Sequence, residues 1–202
     1  MIDGIAKRMI EPAMARAARQ LSALGITADQ VTIVGFALAL GAAALIATGN
    51  LVIGLVVIIA SRICDGLDGA VAREAGASDF GGYLDIVLDF AFYGLIPFAF
   101  ALFDPVNNAV PAGFLLLAFY VNGASFLAFA AVAEKRGLTT DARGPKSFYF
   151  ASALAEAGET LAVFMLACLV PAWFPLLAYG FGAICILTAS LRIVTARSLF
   201  RR

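Results

Sequence analysis

Long apolar segments dominate this chain, and their length limits the folds that are open to it. Of its 202 residues, 62% are hydrophobic and 14% are charged, and the mean hydropathy is +0.95. About 20 consecutive apolar residues allow an α-helix to cross a bilayer. The chain is therefore expected to be an all-α integral membrane protein.

Polar breaks between the apolar segments predict six spanning helices. They are expected at about 28–48, 51–74, 80–103, 110–134, 147–169 and 175–198. Gly25 is typical of a helix end, and Thr27 to Gln30 has the pattern of a capping box ahead of the first span. Residues 1–24 carry four basic residues beside an apolar face, which predicts an amphipathic juxtamembrane helix, kinked or divided at Pro12. Residues 25–202 then form the six-helix transmembrane domain.

Lysine and arginine are distributed unevenly between the two ends of these predicted helices. The turns at 49–50, 104–109 and 170–174 contain none, whereas the N-terminal segment, the 74–79 connector with Arg73 beside it, the 134–146 loop and the C terminus hold nearly all of them. The positive-inside rule then predicts both termini on the cytoplasmic side. A bacterial or archaeal plasma membrane is expected, and a nucleic-acid partner is not.

Four carboxylates stand out against these apolar surroundings. They form two pairs, Asp65 with Asp68 and Asp85 with Asp89. Residues three or four apart share one face of a helix, so each pair lies on one face. Gly69 and Ala72 continue the first face, and Gly81 precedes the second pair by one turn. Because both faces carry little bulk, the two helices could pack closely with the acids inward, at the cytoplasmic end.

Converging carboxylates repel one another unless a cation lies among them. A hard divalent cation, Mg²⁺ or Mn²⁺, is the expected occupant of such an all-oxygen site. Acids within membrane helices are costly and usually functional, whereas Glu74 and Asp79 in the connector are interpreted as surface acids. The chain has no histidine, so proton transfer must depend on a carboxylate.

The motif formed by these residues resembles a known signature. The pattern is Asp65-x-x-Asp68-Gly69-x-x-Ala72-Arg73, followed by Gly81-x-x-x-Asp85-x-x-x-Asp89. It is similar to that of the CDP-alcohol phosphotransferases (CDP-alcohol phosphatidyltransferases), which synthesise phospholipids, and the resemblance covers essentially the whole chain. Seven residues separate Arg73 from Gly81, one fewer than in the usual family pattern, so the connecting loop is expected to differ.

The resemblance implies a reaction and roles for single residues. A phosphatidyl or similar phospho-alcohol group would pass from a CDP-alcohol, such as CDP-diacylglycerol, to a hydroxyl acceptor, with release of CMP. The family also implies a homodimer. The metal ligands would be Asp65, Asp68, Asp85 and Asp89, with Asp89 also the general base. The CDP-alcohol would be bound by Asp68, Gly69, Ala72, Arg73, Gly81 and Thr32; for Thr32, capping or packing is an equal alternative.

Four further residues are candidates for the acceptor pocket. Arg143 and Lys146 precede the fifth predicted helix and could bind an acceptor or lipid phosphate, or anchor the surface. Glu156 and Glu159 lie about ten to thirteen residues into that helix, near mid-bilayer. They could bind acceptor hydroxyls or a cationic group, or form a structural hydrogen-bonded pair.

Two other functions are compatible with membrane-embedded acids. A divalent-cation or proton-coupled transporter would also carry them, although its acids should extend through both halves of the membrane. An inactive relative could serve as a lipid-binding subunit. The clustering of the four motif acids at one end favours the enzyme.

Overall fold

The structure, a computed structural model, describes residues 2–137 and 157–201. Most of these residues are helical and no strand occurs among them, which confirms the predicted all-α class. The chain divides into two compact units, Met1–Ala99 and Phe100–Arg202. The motif acids all belong to the first unit.

Seven α-helices and one short 3-10 helix make up the described ranges. In chain order they are α1 (Ile2–Ala23), α2 (Ala28–Ala47), α3 (Leu51–Ala75), α4 (Asp79–Phe103), α5 (Pro105–Lys135), α6 (Ala157–Leu169), the 3-10 helix Pro171–Trp173, and α7 (Phe174–Phe200). The predicted bounds of α2, α3, α4 and α7 agree with these within two residues. Of the fifth predicted span, only the part from residue 157 lies within the described residues.

The connection between α1 and α2 follows the predicted signals. Gly25 has a φ of 77°, and the Ile26 amide donates to the Leu21 carbonyl at 3.0 Å. A glycine at this position avoids the strain that a side chain meets in the left-handed region. The Gln30 amide donates to the Thr27 hydroxyl, and the Thr27 amide donates to the Gln30 side chain, which completes the capping box.

Helix α1 packs against α3. It continues through Pro12, so the chain is not divided there. Ala18 is fully buried in a cluster that includes Ala70 of α3, and Arg19 forms an exposed ion pair with Glu74 at 3.8 Å. One face of α1 therefore packs against α3. Its placement at the membrane interface stays a prediction.

Helices α2 and α3 form a closely packed hairpin. Gly49, with a φ of 83°, lies in the turn between them, and the Asn50 amide donates to the Leu45 carbonyl at 2.8 Å. A Cβ added to Gly54 on α3 would lie 2.9 Å from the Ile46 side chain of α2. The helices therefore approach more closely at this end than a larger residue would allow.

In the second unit, α5 and α7 pack together around small and aromatic residues. A Cβ on Gly182 would lie 2.6 Å from the Phe114 ring. Nearer the C-terminal end of α7, Arg192 is only 7% exposed. Its guanidinium donates to the Asn122 carbonyl oxygen and to Asn122 Oδ1, both at 3.0 Å, and to the Ser125 hydroxyl. These hydrogen bonds to α5 replace the water that the buried Arg192 guanidinium has lost.

The predicted start of the fourth span was wrong. A turn was expected at 104–109, whereas α5 begins at Pro105. Asp104 caps the helix by accepting a hydrogen bond from the Asn107 amide at 3.2 Å. Proline suits the first helical position because its missing amide hydrogen has no partner there in any helix. The polar residues that suggested a turn are the cap and first turn of a helix.

Four helices in the described ranges are long and apolar enough to cross a membrane. They are α2, α4, α5, and α7 together with the 3-10 helix that precedes it. Helix α6 is apolar but shorter over its described length. Helix α3 carries Arg62 near its middle and Asp65 and Asp68 in its second half. The coarse prediction of a membrane protein with several spans holds, and the count of six stays a prediction.

Candidate active site

The first acid pair is tied to α2 by a short hydrogen bond. The Thr32 hydroxyl donates to Asp68 Oδ2 at 2.6 Å, and it also lies 3.0 Å from the Ala28 carbonyl oxygen one turn back. Both side chains are buried, with Thr32 8% and Asp68 5% exposed. A charge-assisted bond away from water fixes the carboxylate firmly. Thr32 thus contacts the motif directly.

Close contact between α2 and α3 makes that bond possible. A Cβ on Gly35 would lie 3.0 Å from the Cys64 Cβ and 3.4 Å from the Ser61 carbonyl oxygen. The Ser61 hydroxyl donates to the Gly35 carbonyl at 2.7 Å. A glycine here lets the two backbones approach, as small residues commonly do between membrane helices. Cys64 is accordingly a packing residue in this structure.

Arg62 joins the two acid pairs. Its Nη1 donates to Asp65 Oδ1 at 3.1 Å and to Asp89 Oδ1 at 2.7 Å. The guanidinium lies over the Phe92 ring, 3.8 Å from its centre, and Nη2 lies 3.3 Å from the Ser61 hydroxyl. One cation from α3 therefore bridges an acid of its own helix and an acid of α4.

Two cavities adjoin these acids. The larger, of about 480 Å³, is lined by residues of α2, α3, the connector and α4; among them are Thr32, Asp68, Gly69, Ala72, Gly81 and Asp85. The smaller, of about 10 Å³, lies among Arg62 and all four motif acids. The larger cavity has the size of a ligand pocket, and the smaller has room for about one water molecule.

Gly81 and Arg73 lie at the rim of this arrangement. A Cβ on Gly81 would lie 2.8 Å from Asp29 Oδ1, so the start of α4 contacts the start of α2. The Arg73 side chain is exposed, and its Nη1 lies 3.5 Å from where a Cβ on Gly69 would be. Arg73 also lines a separate cavity of about 270 Å³ with residues of α1. It is therefore adjacent to Gly69 and does not line the larger cavity.

The donor set suits a hard divalent cation. The four motif residues offer carboxylate oxygens and line one small cavity, and such oxygens are the ligands that Mg²⁺ and Mn²⁺ prefer. In the described ranges no three acidic or cysteine side chains form a ready-made metal shell. Asp65 and Asp89 are turned to Arg62, and Asp68 is turned to Thr32. These carboxylates would hold a cation after turning away from their protein donors.

Of the four acceptor-pocket candidates, Glu159 lies within the described residues. Arg143, Lys146 and Glu156 lie outside those residues. Glu159 is exposed in the first turn of α6, in the second unit. Its assignment stays a prediction.

Sequence reasoning missed two arginines within helices, the half-buried Arg62 and the buried Arg192. Arg62 was given no role, although it precedes Asp65 by three residues and so shares its face. Arg192 was overlooked within the last span, where a lone cation in apolar sequence is itself a signal of a specific role or partner. In both cases the charge in the apolar segment could have identified the residue, but only the structure gives its partners.

Comparison with known proteins identifies the family. Residues 25–194 match the model of the family described as CDP-alcohol phosphatidyltransferase. The chain belongs to that family. Its members are enzymes that transfer substituted phosphate groups in phospholipid synthesis, which confirms the predicted class and disfavours the transporter and the inactive homologue.

The chain also resembles several individual proteins. It is 45% identical to the inner membrane protein YnjF of Escherichia coli over the full length of both proteins. It is 36% identical over 90 residues to an archaetidylinositol phosphate synthase of Pyrococcus horikoshii, covering 44% of this chain and 47% of the relative. The match to an inner membrane protein agrees with the expected membrane location.

Solved structures share the fold of this CDP-alcohol phosphatidyltransferase. The phosphatidylinositol phosphate synthase of Mycobacterium tuberculosis with CDP-DAG bound superposes with a TM-score of 0.72 at 24% identity, covering 90% of this chain and 92% of that one. A structure of the same synthase with manganese and citrate has a TM-score of 0.66, also at 24% identity, covering 90% and 88%.

Proposed function

We propose that this chain transfers a phosphatidyl group from CDP-diacylglycerol to the hydroxyl of a phosphorylated alcohol and releases CMP, with Mg²⁺ or Mn²⁺ held by the motif acids. The observation that carries this proposal is the cavity of about 480 Å³ whose wall includes Asp68, Gly69 and Asp85. It combines acidic groups with glycine-lined backbone next to a membrane helix bundle. Such a wall suits the diphosphate of a lipid-linked nucleotide, because a cation held by the acids would neutralise the phosphate charges.

The chain's own residues would bind and orient the donor. Gly69 leaves room for the nucleotide against the backbone of α3, because its missing side chain opens the wall there. Gly81 and Ala72 extend this bare surface, and Arg73 beside Gly69 would reach phosphate oxygens. Thr32 would hold Asp68 in one orientation while the donor binds.

The divalent ion would be held by Asp65, Asp68, Asp85 and Asp89. When bound, it supplies charge neutralisation for the diphosphate and for departing CMP. Manganese is present in a structure of the mycobacterial synthase, which supports this cofactor class. Asp89 is the proposed general base, taking the proton from the acceptor hydroxyl as its oxygen bonds to phosphorus and the bond to CMP breaks.

The acceptor class is inferred from two sources. Curated relatives over part of the chain are archaetidylinositol phosphate synthases, and the structures of similar fold are of a phosphatidylinositol phosphate synthase. A phosphorylated polyol such as an inositol phosphate is accordingly the proposed acceptor. Arg143, Lys146, Glu156 and Glu159 remain the proposed acceptor-pocket residues. A homodimer with both termini and the active site on the cytoplasmic side completes the proposal.

The test is CMP release by the purified chain in nanodiscs, supplied with CDP-diacylglycerol, Mn²⁺ and a panel of acceptors. We expect release with one phosphorylated polyol, and none after EDTA. Asp89→Asn should lower the rate about 100-fold or more, as loss of a general base does. Asp79→Asn is the matched control, because Asp79 is an exposed acid at the start of the same helix.

Unchanged release by Asp89→Asn would remove Asp89 from the role of base. No release with any CDP-lipid, from protein that is folded and still binds Mn²⁺, would contradict the proposed donor. Activity with an unphosphorylated alcohol alone would keep the reaction and correct the acceptor.

A further inference from the structure

Arg62 holds two of the motif acids in the arrangement that the structure describes. It lies outside the family motif, yet its Nη1 contacts one acid of each pair, Asp65 at 3.1 Å and Asp89 at 2.7 Å. The Arg62 side chain is 15% exposed, and those of Asp65 and Asp89 are 37% and 29% exposed. Ion pairs that are partly sheltered from water are screened less by salt than surface pairs. Both contacts therefore help to stabilise the acid cluster.

The same contacts stand in the way of a divalent cation. Within the described ranges no three acidic or cysteine side chains are arranged as a metal shell. The cavity among Arg62 and the four acids measures about 10 Å³, which is room for about one water molecule. A guanidinium beside this cavity also repels a metal ion. Asp65 and Asp89 must therefore turn from Arg62 before they can surround a cation.

The guanidinium has further contacts that do not depend on these acids. It lies 3.8 Å from the centre of the Phe92 ring, and its Nη2 lies 3.3 Å from the Ser61 hydroxyl. A planar guanidinium stacks on an aromatic ring in a way that a lysine ammonium cannot. Phe92 and Ser61 can thus keep Arg62 beside the cluster after the carboxylates have left it. The ion pairs can then form again when the cation leaves.

The metal-free cluster needs a partner of this kind. Its four carboxylates repel one another, and acids within membrane helices are costly unless they are paired. Arg62 offsets part of this charge, which favours the folded chain before any metal is bound. The same offset opposes metal binding, because the ion pairs must break first.

We propose that Arg62 is an exchangeable counter-ion, which pairs with Asp65 and Asp89 in the metal-free chain and releases both carboxylates when divalent metal binds. The metal-free cluster gains stability from this pairing, and its affinity for metal is lowered. This inference rests on the proposed function in assuming that the motif acids bind a divalent cation. Arg62 acts through the two carboxylates and is therefore a positioning residue.

The first test is the dissociation constant for Mn²⁺, measured by electron paramagnetic resonance on purified protein without any CDP-lipid. Arg62→Gln should bind Mn²⁺ about tenfold more tightly than the wild-type chain, because no guanidinium competes for the carboxylates or repels the metal. In EDTA the same variant should melt at a lower temperature than the wild-type chain. Its Tm should accordingly rise more on addition of Mn²⁺.

Two variants serve as controls. Arg62→Lys keeps the positive charge, so its dissociation constant for Mn²⁺ should lie nearer to the wild-type value than that of Arg62→Gln. Arg192→Gln is the matched control for loss of an arginine within a helix. Since the partners of Arg192 are Asn122 and Ser125, this variant should bind Mn²⁺ with the wild-type dissociation constant.

A second measurement follows the exchange in the wild-type chain itself. In protein labelled with ¹⁵N-arginine, the side-chain resonance that is missing from Arg62→Lys belongs to Arg62. Saturating Mg²⁺, which is diamagnetic, should shift this resonance, because the guanidinium loses both carboxylate partners.

The outcomes separate this inference from the proposed function. A dissociation constant for Arg62→Gln equal to or higher than the wild-type value would overturn the exchange and leave the metal-dependent transfer intact. An Arg62 resonance that saturating Mg²⁺ does not move would do the same. No binding of Mn²⁺ by the folded wild-type chain would overturn both. Arg62→Met replaces Arg62→Gln if that variant does not fold, and the Arg62 resonance decides if neither folds.

Discussion

At the scale of single residues, the acid cluster depends on partners that the motif does not include. Thr32 donates to Asp68, and Arg62 donates to Asp65 and Asp89. Each partner reaches an acid on another helix as well as a group on its own. The carboxylates are therefore oriented by α2 and α3 before any ligand is present, and this reduces the ordering that binding must supply.

Thr32→Val should weaken catalysis without altering the shape of the side chain. A hydrogen bond to a charged group contributes about 1.5–3 kcal/mol, so we expect kcat/KM for CMP release to fall roughly tenfold or more. Thr48→Val is the control, since Thr48 is exposed at the C-cap of the same helix and bonds only to nearby groups, the carbonyls of Ala44 and Leu45 and the side chain of Asn50. Equal kcat/KM for the wild-type chain and Thr32→Val would show that Asp68 keeps its orientation unaided.

Much of the site was predictable at this scale because the spacing of the acids defines helix faces. The pairing of Asp65 with Asp68 needs only the helical repeat. Thr32 was identified as a candidate, but its bond to Asp68 depends on how α2 packs on α3. The bridge from Arg62 to Asp89 joins residues 27 apart. No local rule predicts that contact, since it requires the position of α4.

At the scale of elements, the α2–α3 hairpin is the frame of the first unit. Its two helices meet at Gly54 near the turn and at Gly35 near the acids, so small residues allow close approach at both places. The predicted bounds of these helices were accurate because capping signals and glycine breaks are local. The predicted start of α5 was wrong because Asp104-Pro105 is typical both of a turn and of a helix start.

Gly35→Leu should separate the helices that hold Asp68 and Thr32. A side chain there meets the Cys64 Cβ and backbone of α3, and overpacking costs about 1–3 kcal/mol. We expect the apparent Tm in detergent to fall by about 5 °C or more, with a loss of CMP release.

Gly41→Leu is the matched control on the same helix. A Cβ added to Gly41 meets nothing within 4 Å, so its Tm should stay within about 2 °C of the wild-type value. A Tm for Gly35→Leu as high as that for Gly41→Leu would mean that α2 and α3 can separate at no cost, contrary to the packing described.

At the scale of the whole molecule, charge is segregated along the chain. The turns at 49–50 and 170–174 contain no lysine or arginine, whereas the connector after α3 follows Arg73. This distribution supports the proposed orientation, with the connector between α3 and α4 facing the cytoplasm. A soluble acceptor made inside the cell would then reach the acids directly.

Cysteine labelling tests this orientation. In a background lacking the three native cysteines, Asn50→Cys should react with a membrane-impermeant maleimide added to intact cells. Ser78→Cys, in the connector beside the larger cavity, should react only after the membrane is permeabilised. The reverse pattern would put the acid cluster on the outer side and contradict the proposed access.

The bond between Arg62 and Asp65 also bears on how the chain enters the bilayer during synthesis. Arg62 and Asp65 are three residues apart on α3, so their ion pair can form before α4 has left the ribosome. A paired charge costs less to insert than two separate ones. The hairpin can therefore enter the membrane with its charges partly neutralised. We expect Asp89 then to pair with a guanidinium that Asp65 already holds, and this second ion pair would help α4 to dock.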